Sequence, residues 1–275
     1  MKTNTTYRFM LTLFAIALII ALTGACAKKD TEKPDDKLVW ADEFNYQGLP
    51  DPDKWVYETG MMRNYESQCY TTRAENCRVE GGELIITARK ESYYMEDIDD
   101  IAQYTSASIN TRGRYEFHGG RVEVRAKLPH GRGVWPAIWT LGANIGEVGH
   151  PRCGEIDIME FVGYEPNIIY GSVHTYDYKK DKLKSLTGET ALLDPTDFHV
   201  YAIEWNEDKI DFFLDDTKYF SCARDTTHAD NWPFDSTQYL LINLAIGGSW
   251  GGYMGIDDNI FPVEYRIDYV RIYRL

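Results

Sequence analysis

The chain has 275 residues, 43 of them acidic and 29 basic, for a formal net charge of −14, and it carries 7 Trp, 20 Tyr and 11 Phe. So acidic a chain repels phosphate backbones, which excludes nucleic acid as a partner, whereas a neutral polymer is indifferent to the charge. The length suits one large domain with a substantial core, and no internal repeat or low-complexity block divides it.

In chain order the first feature is a leader. Lys2 and Arg8 precede the uncharged run "FMLTLFAIALIIALTGA", which ends in small residues directly before Cys26. This is the layout of a secretory signal over residues 1–25; the competing reading is a membrane-spanning helix at the short limit for a span. "LTGAC" is similar to a bacterial lipobox, although Thr23 stands where an aliphatic residue is usual. That likeness implies lipidation at Cys26 and an exported, membrane-anchored lipoprotein at the cell surface or in the periplasm. Residues 26–37, "CAKKDTEKPDDK", lack large apolar side chains and read as the lipidated Cys followed by a charged tether. The domain proper is then 38–275. After Cys26 come Cys69, Cys77, Cys153 and Cys222, at spacings that match no zinc pattern. One or two disulfides, or four buried thiols, are equally open readings in an exported chain.

From Leu38 onward the pattern is β. "ELIITARK" is a β-rich run, and "RVEVRAKL" (121–128) alternates strictly, placing Val122, Val124, Ala126 and Leu128 on a buried face. "HVYAIEW" and "KIDFFLD", joined by "NED", predict a hairpin. "YLLINLAIGG" and "EYRIDYVRIYRL" complete the set, and the one helix expected is short, near 225–231. Many short strands punctuated by Gly and Pro point to an all-β fold, a two-sheet sandwich or jelly roll.

One strand carries a conflict. "GEIDIMEF" (154–161) holds Glu155, Asp157 and Glu160 among Ile156, Ile158, Met159 and Phe161. Plain alternation puts Glu155 and Asp157 on one face and Glu160 on the other, inside the sandwich. An unpaired buried Glu is costly, so a one-residue β-bulge at Ile158–Met159 is expected to return Glu160 to the face of the other two. Three carboxylates then converge. Cleavage of a glycosidic bond needs two carboxyl groups flanking that bond, one donating a proton and the other attacking or activating water. Crowded like charges predict that one Glu has a raised pKa and serves as the acid. A calcium-binding strip and a solvated strand face are the bland alternatives. Three stretches surround the acids: the Trp-bearing, Gly-containing "GVWPAIWTLG" (133–142) and "NLAIGGSWGG" (243–252), and "VHTYD" (173–177). Aromatic faces stack on sugar rings, although a single Trp is more often core.

These stretches, together with "LVWADEF", "NYESQCYT", "GGELIITARKE", "YTSASINTRGRYEFHGGRVEVRAKLPHGRG" and "RIDYVRIYRL", make the domain similar to the family-16 glycoside hydrolases, the group of laminarinases, lichenases and related β-glucanases. The resemblance implies a concanavalin A-like β-jelly roll with a concave glycan cleft and a retaining mechanism. It marks Glu155 as nucleophile, Glu160 as general acid/base and Asp157 as auxiliary carboxylate. Trp135, Trp139, Asn64 and His174 match positions that line the cleft, as do Asn243 and Trp250. It implies no cofactor for catalysis and a structural calcium at Glu43, Asp268 and the Gly82 carbonyl; both acids read equally as ordinary surface carboxylates. Ser108 stands where many laminarin-cleaving relatives have Arg, which weighs against a pure β-1,3 preference. The expected function is an endo-acting, monomeric β-glucanase for mixed-linkage β-1,3/1,4-glucan, laminarin or both. A galactan-cleaving hydrolase and a non-catalytic surface glycan binder are the alternatives, and a binder has no need of an acid/base pair.

Overall fold

The computed structural model describes residues 37–275; the leader, Cys26 and the tether up to residue 36 lie outside them. Two sheets face each other across one core. The backing sheet takes β1 (Leu38–Asp42), β4 (Cys77–Glu80), β5 (Glu83–Met95), β8 (Gly120–Lys127), β13 (His199–Trp205), β14 (Lys209–Leu214), β15 (Thr217–Ala223) and β17 (Val263–Tyr273). It also carries β6 (Asp100–Ser106) and β3 (Gln68–Tyr70) on the far side of β5, and its main order is β15-β14-β13-β8-β17-β5-β6-β3. The second sheet is built from β2 (Val56–Glu58), β7 (Ser108–Asn110), β9 (Val134–Gly142), β10 (Glu155–Glu160), β11 (Ile168–Asp177), β12 (Lys182–Ala191) and β16 (Gln238–Ile246). Its order is β12-β11-β10-β9-β16-β7-β2, antiparallel throughout. This is the expected all-β sandwich.

The alternating runs form strands for the reason that they alternate. Val122, Val124 and Ala126 of β8 enter the core beside Tyr201 and Ile203 of β13, and Ile138, Ile156, Ile242 and Leu244 meet them from the second sheet. The hairpin at "NED" is present: Asn206 Oδ1 accepts from the Asp208 and Lys209 amides, which fixes the turn between β13 and β14. β16 shows no alternation because it is buried on both faces, one toward the core and one toward the opposite side of its sheet. Near 225–231 the chain forms only 3₁₀ turns, at Ala229–Asn231 and Pro233–Asp235, since Pro233 and short polar residues favour tight turns over a helix. A single α-helical turn, α1 (Ile145–Val148), lies instead between β9 and β10. Cys69, Cys77, Cys153 and Cys222 are all free and buried, so the thiol reading holds over the disulfide one.

Candidate active site

β10 bears the bulge. Against β9, Asp157 faces Trp139 while Met159 faces the adjacent Ile138, which leaves Ile158 as the extra residue. Against β11, the three-residue step from Asp157 to Glu160 spans only the two-residue step from Ser172 to Tyr170. Ile158 and Met159 both enter the core, at 1% and 0% exposure, and Glu160 turns back out. The three acids therefore share the outer face of the sheet. Glu155 stands between Leu141 and His174, Asp157 between Trp139 and Ser172, and Glu160 between Ala137 and Tyr170. The last row runs on across the sheet through Asn243 and Ser108 to Glu58.

The surroundings separate the acids electrostatically. Burial and the Glu155 charge push Glu160 up to about 7, against the opposing donation of Trp135 Nε1 to its Oε1 at 3.1 Å. Burial acts on Glu155 too, but a hydrogen bond from His150 and the nearby His174 outweigh it and hold this carboxyl below the ordinary range. Asp157, 3% exposed, is raised well above a normal Asp by burial and then by the charges of Glu155 and Glu160. Both causes favour its neutral form, and it hydrogen-bonds with Glu155. His174 Nε2 lies 3.0 Å from Asp157 Oδ2 without the alignment of a good hydrogen bond, and its Nδ1 is 2.6 Å from Ser185 Oγ. Burial lowers the His174 pKa, against the opposing attraction of the Glu155 charge. Glu155, Asp157 and His174 bring ligand-type atoms within 4.8 Å of one another. A cation held there would cap Glu155, and the chemistry below draws on none.

The aromatic residues fall into two groups. Trp135 and Trp250 are half-buried and meet edge to face at 5.7 Å, with Tyr170 against Trp250 at 5.0 Å, a wall beside Glu160. Trp139 lies on the same face but is only 7% exposed: its Nε1 donates to Asn243 Oδ1 at 2.8 Å and the Arg63 guanidinium covers its ring at 4.9 Å. Trp139 is thus packed floor and offers no open stacking face. Asn243 is likewise occupied, donating to Tyr70 Oη at 2.9 Å. Tyr70 and Gln68 donate to the buried Glu66 carboxylate, as does exposed Asn64 at 3.3 Å. The Asn64 carbonyl accepts from the Ser249 amide, which joins the 64–66 loop to the glycine-rich 247–252 loop.

Glu43, Asp268 and Gly82 belong to the backing-sheet side, in or next to its strands. Both Glu43 oxygens accept from Arg271 at 2.8 Å, and Asp268 Oδ2 pairs with Arg125 at 2.5 Å. Carboxylates already neutralised by guanidinium groups do not fit a calcium cage, which needs free oxygens. Gly82 serves the turn between β4 and β5, where Gly81 and Gly82 both take positive φ.

Two contacts at the site come from residues that sequence reasoning missed. His150 Nε2 lies 2.8 Å from Glu155 Oε2; the one available signal was a His in the Gly/Pro-rich stretch just ahead of the acid strand. Arg63 bonds Glu58 Oε1 while Ser108 Oγ donates to Glu58 Oε2 at 2.6 Å. Arg63 and Ser108 thus meet on one carboxylate, a pairing that spacing does not reveal.

The sequence matches the Glycosyl hydrolases family 16 over residues 64–271. It is 44% identical over 277 residues to a beta-glucanase of Rhodothermus marinus, covering 96% of this chain and 94% of that protein. The fold matches the laminarinase from Rhodothermus marinus with a TM-score of 0.78 at 45% identity, over 86% of this chain and 97% of that one. It matches LamAcat from Zobellia galactanivorans with a TM-score of 0.79 at 41% identity, over 87% and 98%.

Proposed function

The chain belongs to the glycosyl hydrolases of family 16 and is an endo-acting β-glucanase of the laminarinase and lichenase type; we propose that it cuts by double displacement, with Glu155 attacking and Glu160 passing the proton. The observation that carries this reading is the pair of glutamates on one face of β10 with opposite shifts in acidity. Protonated Glu160 donates to the leaving glycosidic oxygen while ionised Glu155 forms an ester at the anomeric carbon. Glu160, now ionised, takes a proton from water as that water opens the ester, so the β configuration is kept. Asp157, whose neutral form is favoured by burial and by the charges of its two neighbours, hydrogen-bonds Glu155.

Both β-1,3-glucan and mixed β-1,3/1,4-glucan are substrates in this reading. Ser108 in place of a cationic residue and the bonded Arg63–Glu58 pair support a cleft that is not built for one linkage alone. Reducing-sugar release from laminarin, barley glucan and agarose tests it: the first two are hydrolysed and agarose is not. Glu155→Gln folds and loses at least about a thousandfold in kcat, some 4 kcal/mol of barrier. Proton NMR that shows α-product first overturns the retaining mechanism.

Calcium has no part in this reading, since Arg271 and Arg125 hold the carboxylates it would use. Export and anchoring through Cys26 belong to the same proposal, supported by the "LTGAC" layout and the charged tether. Cys26→Ser then moves the enzyme from the membrane fraction to the soluble one; retention in the membrane points to the apolar run itself as the anchor.

A further inference from the structure

His150 touches a carboxylate of the reaction and has no task in the chemistry above. It sits in the loop that runs from α1 into β10, two-fifths exposed on the site face. That loop is braced where it enters β10, while the space around Gly149 is open. The Cys153 amide donates to the Gly149 carbonyl, Gly154 to Pro151 and Gly142 to Gly154, at 3.0 to 3.2 Å. A Cβ on Gly142 would fall 2.2 Å from the Cys153 carbonyl oxygen, and one on Gly154 would fall 2.7 Å from Pro233. The backbone is closely packed at Gly142 and Gly154, and from the loop between them the imidazole reaches Glu155.

The two oxygens of Glu155 have different surroundings. Oε2 lies 2.8 Å from His150 Nε2, whereas Oε1 lies 4.0 Å from His174 Nε2, which is closer to Asp157. We propose that His150 is a positioning residue: it donates Nε2–H to Glu155 Oε2, which fixes the carboxylate and leaves Oε1 to meet the anomeric carbon. The inference rests on Glu155 being the nucleophile.

Its effect on the two steps is unequal. In the first, an Oε1 electron pair forms the bond to the anomeric carbon as the glycosidic bond breaks and the leaving oxygen takes the Glu160 proton. Oε2 becomes an ester carbonyl and accepts more weakly. In the second, water adds to the anomeric carbon and gives its proton to Glu160. The ester C–O bond breaks, and its electron pair returns to a carboxylate whose charge spreads onto Oε2. A donor on Oε2 stabilises the carboxylate more than the ester, because bonds to charged acceptors are the stronger ones. His150 thus restrains attack slightly and speeds release of the enzyme from its ester.

The test separates those steps with 2,4-dinitrophenyl β-laminaribioside, whose activated leaving group makes ester breakdown rate-limiting. In His150→Phe the steady-state rate after the dinitrophenolate burst falls about tenfold, while the rate of the burst itself holds within about threefold. His150→Gln, which keeps a side-chain N–H donor, recovers most of the steady-state rate. If both phases slow in parallel and Gln is no better than Phe, the residue only supports the loop and the proposal fails. It fails equally if His150→Phe leaves both phases unchanged. Glu155→Gly supplied with azide checks the reading underneath. Formation of the α-glycosyl azide shows Glu155 to be the nucleophile whatever His150 does, and absence of that product overturns the nucleophile assignment itself.

Discussion

Glu155 and Glu160 are the same side chain five positions apart, and their neighbours drive them in opposite directions. Both are partly withdrawn from water, which favours the neutral form. Glu155 is rescued by a donor from His150 and by the His174 ring, whereas Glu160 has only the Trp135 indole N–H against burial and the charge of Glu155. With Glu160 as the proposed general acid, the first step needs it protonated, and activity is expected to fall as pH rises through about 7, the value to which Glu160 is pushed. Trp135 donates to the carboxylate and thereby favours the charged form. Trp135→Phe removes that support, raises the Glu160 pKa and moves the alkaline limb of kcat/KM upward by about half to one pH unit. A limb that stays in place or moves downward shows that Trp135 does not set this acidity. Trp135 also belongs to the wall with Trp250, so KM for glucan rises in the same variant and must be read separately.

At the scale of the element, the bulge in β10 decides whether there is a site. An Ala inserted after Asp157 either enlarges the bulge or turns Glu160 into the core, where its charge has no partner. Activity is expected to vanish, even where circular dichroism still reports a β fold. Deleting Met159 is milder: in "EIDIE" simple alternation already puts all three acids on one face. That variant keeps measurable hydrolysis with some loss of Tm, because the β9 and β11 ladders must close up and a buried core side chain is lost. Normal glucan hydrolysis by the insertion variant sinks the argument. This element was legible in the sequence because a charged residue fell on the wrong side of a strict period. The hairpin at Asn206–Asp208 was legible for a similar reason, two alternating runs around a polar turn. β12 was not: Lys182–Ala191 is a largely exposed edge strand whose polar residues leave no apolar period to read. His150 and Arg63 escaped because loop contacts obey no period, and Arg63 meets Trp139 across 76 residues of sequence. Trp139 was placed on the correct face, but its cover was invisible until the loop was folded over it.

In the whole molecule the site has a cost in stability, and it depends on pH in a definite sense. Glu160 binds its proton more tightly folded, at about 7, than at its ordinary value of 4.5. Its unfavourable contribution is absent below the unfolded value, grows as pH rises between the two, and is complete above the folded one. Glu160→Gln therefore raises the unfolding free energy at pH 8 by on the order of 2 kcal/mol after allowance for partial solvent screening, seen as a higher Tm, and leaves both nearly unchanged at pH 4. An equal shift at both pH values in a thermal melt contradicts the assignment. The same molecule holds its acids on the outer face of a sheet whose inner face is the core, with nine consecutive buried residues in β16 alone. Floor and core are two sides of one backbone layer. Any residue that reshapes the floor from below also unpacks the sandwich, so the floor cannot drift in sequence without loss of the fold. The loops at 61–67, 143–154 and 247–254 lie outside that layer, and they supply Arg63, Asn64, His150 and Trp250. Divergence in glucan preference among enzymes with this architecture accordingly has its room at the rim: new linkages are acquired by exchanging loops over a floor that stays as it is.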